Sequence, residues 1–152
     1  MSPEARLADL GLKLPDVAAP LAAYVPAVRT GSHVFTSGQL PFANGKLLAT
    51  GKVGAGVSPD DAATCARQCA LNALAAVRAE LGDLAAVTRV VKVAVYVASA
   101  PDFTAQAQVA NGASELLGSV FEDAGQHARS AVGVAVLPLD APVEIELIVE
   151  TG

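Results

Sequence analysis

The chain has 152 residues and a formal net charge of −5; 53% of its residues are hydrophobic but only 4% are aromatic. That length suits a single domain, residues 1–152, able to bury about two thirds of its unfolded surface without help from disulfides or a metal. No apolar stretch reaches the roughly 18–20 residues of a bilayer span, and the first ten residues lack a leader pattern, so a cytoplasmic protein with no membrane partner is expected. The ten Lys and Arg are scattered among 15 Asp and Glu, which gives no basic footprint for a phosphate backbone and argues against nucleic acid. Small side chains, 32 Ala and 20 Val, must fill the core, and the apolar excess predicts a second burial site, most simply a subunit interface.

Ser2-Pro3-Glu4 reads as an N-cap, an N1 proline and a first-turn acid, predicting a short helix over 3–10 that Gly11 stops. Pro15, Pro20 and Pro26 then forbid regular structure until about residue 25. Segments 25–29 and 32–39 read as strands around Thr30-Gly31, and Asn44-Gly45 is a hairpin signal that returns the chain as a strand over 46–50. Ser58-Pro59-Asp60-Asp61 opens a helix running to Leu81, with Ala63, Ala66, Ala70, Leu74 and Val77 on one stripe and Gly82 as its stop. The β-branched run 87–98 reads as a central strand buried on both faces. A second helix spans about 103–123, with a break expected at Asn111-Gly112, and segments 128–137 and 143–151 alternate as two terminal strands. This order predicts an α+β fold, one mixed sheet with both long helices on one face.

Cys65 and Cys69 share a helix face, but with only His33 and His127 as imidazoles no metal site is expected, and the pair reads as two small core residues in a reducing compartment. The run Gly51 to Gly56 fits neither phosphate-cradle pattern, and Asp60 and Asp61 would repel an anion at the helix start. No nucleophile-elbow motif accompanies the Ser and His residues. The terminal strands say more. Taking Val132, Val134 and Val136 as the core face of one, and Val143, Ile145, Leu147 and Val149 as that of the other, places Arg129, Glu144 and Glu146 together on the face away from the helices. Ala131, Gly133 and Ala135 leave room beside the guanidinium, either for a small carboxylate held by a bidentate fork or for an ion pair between subunits.

Phe35-Thr-Ser37-Gly38-Gln39-Leu-Pro41, Ala128-Arg129-Ser-Ala-Val-Gly-Val-Ala-Val-Leu-Pro138 and Val143-Glu144-Ile-Glu146 together resemble the Rid/YjgF family of reactive-intermediate deaminases, from about Leu21 to Glu150. The resemblance implies a chorismate-mutase-like (ferredoxin-like) fold, a homotrimer with ligand clefts between subunits, and cofactor-free hydrolysis of small 2-imino acids to 2-oxo acids and ammonia. It assigns Arg129 to the substrate carboxylate, Glu144 to the attacking water, and Tyr24, Ser37, Gly38, Asn111 and Ala131 to the pocket. Ala131 stands where the family often has cysteine, His127 where it often has proline, and residues 1–20 read as an N-terminal extension of a divergent subgroup. If the terminal strands form a regular hairpin pairing Val136 with Val143, Glu144 lies roughly 20 Å along the ladder from Arg129. Either a second chain then supplies one of the two, or the strands slip or bulge. A non-catalytic trimeric sensor of carboxylates, a scaffold and an endoribonuclease are the competing readings.

Overall fold

The computed structural model describes residues 1–17 and 22–152; the Pro20 reading and the Leu21 start of the resemblance fall outside them. Helix α1 (Pro3–Asp9) is capped by the Ser2 hydroxyl, which accepts from the Ala5 amide. Its Leu7 is buried in the core, and its Arg6 donates to the Val120 carbonyl and pairs with Glu122 at 3.1 Å. The first turns of the chain are therefore an integral part of the helical layer.

A five-stranded sheet is built from β1 (Ala27–Thr30), β2 (His33–Thr36), β5 (Val87–Ala98), β6 (Ala128–Val134) and β7 (Val143–Thr151) in the order β1-β2-β7-β5-β6. The Asn44-Gly45 turn does form, but it joins only the two-residue strands β3 (Phe42–Ala43) and β4 (Lys46–Leu47), apart from the main sheet. Helix α2 (Pro59–Leu81) starts where its cap predicts, with the Ser58 hydroxyl accepting from Asp61, and stops at Gly82, whose φ of +85° an L side chain resists. Helix α3 (Gln106–Phe121) runs unbroken through Asn111 and Gly112. Both long helices pack on one face of the sheet, and Cys65 and Cys69 lie in the core between. Burial pushes the Cys65 thiol up to about 11, Asp61 adding to the effect. Among the described residues no helix is long and apolar enough to cross a membrane.

Gly112 is needed for a reason the sequence hides. A Cβ there would run into the backbone carbonyl of Ala63, where α3 crosses α2. Replacing Gly112 by Ala should improve helix propensity yet overpack the crossing, for a net loss of about 1–3 kcal/mol, several degrees of Tm in a chain of this size. Thermal unfolding checks this; an unchanged or raised Tm would mean that the crossing yields freely.

Two expectations about the strands are corrected. The first concerns β5, whose alternating residues Val90, Val93, Val95 and Val97 are buried while Lys92, Ala94 and Tyr96 are only partly covered. One face is packed by helices and the other is open within the chain. The second concerns the terminal strands, which do not pair with each other: β6 runs parallel to β5 on one side and β7 antiparallel on the other.

Candidate functional site

This topology decides which face each candidate residue takes. Partners in a ladder project to the same side of the sheet. Arg129, Ala131 and Gly133 register with Val93, Val95 and Val97, and so point toward the helices. Glu144 and Glu146 register with Tyr96 and Ala94, and so point to the open face. Arg129 and the two glutamates, expected together, are on opposite faces. The Val stripe of β6 is likewise reversed, with Val132 46% exposed on the open side. The physical reason is the closeness of α3 to this edge strand: a Cβ on Gly133 would meet Gln106 Nε2 at 2.8 Å and Ser99 Oγ at 3.1 Å. A side chain at position 133 would have to displace the Gln106 amide and the Ser99 hydroxyl.

One cluster of candidates gathers at the β6 edge. Arg129 donates from a single nitrogen, Nη1, to Asn111 Oδ1 at 2.8 Å and to Ser114 Oγ at 3.1 Å, both on α3. Among the described residues no carboxylate pairs with it. The guanidinium is thus fixed by neutral acceptors, and its Nε and Nη2 donors remain to be used. Ala131, two residues on, packs against the core beside it.

The other cluster lies on the open face. The β2–β7 register slips by one residue between Phe35 and Gln39, which bridges to Ile145. This bulge lifts Ser37 and Gly38 out of the ladder and sets Gly38 against the Glu144 carboxylate, where a Cβ would overlap Oε2. The Ser37 hydroxyl donates to the Val25 carbonyl, bringing the segment that carries Tyr24 alongside, and Tyr24 is 44% exposed. Sequence reasoning missed two supports. Asn72, buried within the apolar stripe of α2, donates to the Leu40 and Phe42 carbonyls and pins the chain beyond the bulge. Tyr96 donates its hydroxyl to Glu146 at 3.0 Å, which raises the tyrosine above its ordinary range. A polar residue in an otherwise apolar helical stripe is the signal that could have found Asn72.

Burial, and then the neighbouring Glu146, raises Glu144 above the usual carboxylate range. An acid raised in the folded state contributes stability below its ordinary pKa, and that contribution is lost as pH climbs through the raised value. Glu144→Gln should therefore raise the Tm by a few degrees at neutral pH, and the gain should vanish near pH 4, where the Glu144 carboxyl is largely protonated. Melts at the two pH values check this; an equal gain at both would show that charge burial is not its source.

Tyr24, Ser37, Gly38 and Glu144 therefore gather in one cluster of candidates, and Arg129, Asn111 and Ala131 in the other. By register the clusters are three residues apart along β5 and two strands apart across it, about 14 Å, on opposite faces. One small molecule cannot touch both within a chain.

A mixed sheet with paired helices on one face and an open second face defines a chorismate-mutase-like α+β protein. The chain belongs to the family described as "YjgF/chorismate mutase-like, putative endoribonuclease", whose model matches residues 4–151. It is 49% identical to Protein TCP17 of Trypanosoma cruzi, over 96% of this chain and 92% of that one. The crystal structure of Atu1372 from Agrobacterium tumefaciens superposes with a TM-score of 0.93 at 46% identity, covering 99% of this chain and 93% of that one. Escherichia coli TdcF, solved with bound serine, gives a TM-score of 0.63 at 28% identity, over 90% of this chain and 94% of that one.

Proposed function

We propose that this protein is a cofactor-independent hydrolase of small 2-imino acids, acting at clefts that each combine the Arg129 half of one chain with the Glu144 half of another. The observation that carries the reading is the Arg129 guanidinium, held at Nη1 by Asn111 and Ser114 with no carboxylate paired to it among the described residues. A fixed planar fork with spare parallel donors suits a substrate carboxylate. The relative solved with serine bound, an amino acid with such a carboxylate, supports the class of ligand. The exposed apolar residues of the open face, Val28, Phe35 and Val132, fit burial against further copies, and the homotrimer expected from the resemblance would supply them.

The chemistry asks for little beyond positioning. A protonated imine is electrophilic at C2, and water adds there once it is held in line. Glu144 takes a proton from that water as the C–O bond forms, giving a carbinolamine. It then returns the proton to nitrogen, and as the C–N bond breaks it accepts the proton of the carbinolamine hydroxyl and passes it to the departing ammonia, so that the 2-oxo acid and ammonium leave. A carboxylate raised by burial is suited to these transfers. Backbone groups at Gly38 and Ala131 would bind the nitrogen, and Tyr24 would cover the cleft. Endonuclease action, named in the family description, would require a basic track, whereas this chain carries a net charge of −5. The test is 2-oxo acid formation from freshly generated 2-iminopropanoate. Acceleration over buffer is expected, and a rate equal to buffer removes the deaminase reading.

A further inference from the structure

We infer that Ser114 and His127 are positioning residues for Arg129, forming a relay that commits one side of the guanidinium so that only the Nε–Nη2 edge is offered to a carboxylate. The inference rests on the reading of Arg129 as the carboxylate grip. Its evidence is a chain of hydrogen bonds whose directions are fixed from one end. The Gly125 carbonyl lies 2.6 Å from His127 Nδ1, and a carbonyl can only accept, so Nδ1 carries the proton. In the neutral ring Nε2 is then an acceptor, and the Ser114 hydroxyl 2.8 Å away must be its donor. With its single proton spent on His127, Ser114 Oγ has only lone pairs left, and one of them receives Arg129 Nη1 at 3.1 Å. Asn111 Oδ1 receives the second Nη1 proton at 2.8 Å.

Each member is thereby assigned without surplus. Nη1 has two protons and two acceptors, while Nε and Nη2 make no hydrogen bond to any described residue. A serine within a helix ordinarily turns its hydroxyl back to the carbonyl four residues earlier. Ser114 instead reaches off α3 to two residues of the 127–129 segment. The anchor is firm as well: Gly125 is buried where α3 gives way to β6, and a Cβ there would strike the Leu117 carbonyl. The neutral relay also holds the cation without a counter-charge. An acid in its place would pair with the guanidinium and compete with the substrate. Side-on contact through Nε and Nη2 presents two parallel donors to a planar two-oxygen anion.

The test uses the full-length protein and 2-oxobutanoate as probe, its affinity followed by NMR titration, with Ser114→Ala, His127→Phe, Ser114→Thr and Arg129→Lys. Ser114→Ala and His127→Phe should each weaken binding about tenfold. They should raise KM for 2-iminopropanoate with little change in kcat, and Ser114→Thr should restore most of the affinity. In the Arg129→Lys background the same two changes should add less than about twofold, because a residue that acts through the fork has nothing left to position. The nitrogen-15 spectrum of His127 should show the Nδ1-protonated tautomer. Effects under twofold in the Arg129 protein, or an Nε2-protonated His127, overturn the relay while leaving the carboxylate grip in place. If the parent protein binds no 2-oxobutanoate, the grip fails by itself. The relay is then decided by the Arg129 Nη1 proton signals, resolved and sharpened in the parent and merged in Ser114→Ala if it exists, unchanged if it does not.

Discussion

Replacing Arg129 by Ala is expected to lower kcat/KM for 2-iminopropanoate by about 30-fold to 5,000-fold, the range that follows from about 2–5 kcal/mol for truncating one member of a hydrogen-bonded charge pair. The loss should fall on catalysis and leave folding nearly intact. Arg129 lies on an edge strand, partly exposed, and its removal frees Asn111 and Ser114 to meet water rather than stranding them in an apolar interior. Arg129→Lys is the sharper comparison. It keeps the charge but has no fork, so an activity well below the parent and above Arg129→Ala is expected if two parallel donors matter. Steady-state 2-oxo acid formation with a thermal melt of each variant checks the set. Equal rates for parent and Arg129→Ala, with the fold unchanged, would take Arg129 out of the chemistry.

The elements of this fold were legible because local signals agreed with the tertiary structure. Ser58-Pro59 and Gly82 bracket α2 as caps of the expected kinds, and the alternation in β7 from Val143 to Val149 matches its burial residue by residue. The errors came where two burial surfaces compete for the same residues. In β6, both alternate sets are apolar or small, and the rule that the larger side chains face the core selects Val132 and Val134. Yet α3 lies so close that Ala131 and Gly133 must face it, which turns the Val set outward. On the proposed assembly of several copies, the outward Val set would be buried against a neighbouring chain. The hairpin inference failed for a topological reason, since β5 inserts between strands that follow one another in sequence. Nothing local reports which strand lies between two others. The bulge at residues 36–39 and the Ser114–His127 contact were unreadable in the same way, because each depends on segments remote in the chain.

The separation of the half-sites makes a prediction that no single-chain site can imitate. Arg129→Ala and Glu144→Ala, each nearly inactive alone, should recover activity when their chains are co-expressed or unfolded and refolded together. A cleft is intact when its arginine comes from a Glu144→Ala chain and its glutamate from an Arg129→Ala chain. With random assembly at equal proportions, each requirement is met half the time, so about a quarter of the parent activity should return. If f is the fraction of one variant, recovery follows f(1 − f), peaking at equal mixing and falling symmetrically on either side. The relation holds for any ring in which each cleft joins two neighbours, so it reports the sharing of the site without assuming three subunits, and sedimentation supplies that number separately. The prediction rests on the register that puts Arg129 beside Val93 on the helix side and Glu144 beside Tyr96 on the open side. Were both groups to serve one substrate within a chain, every mixed cleft would still lack one of them, and activity would stay at the floor at all ratios.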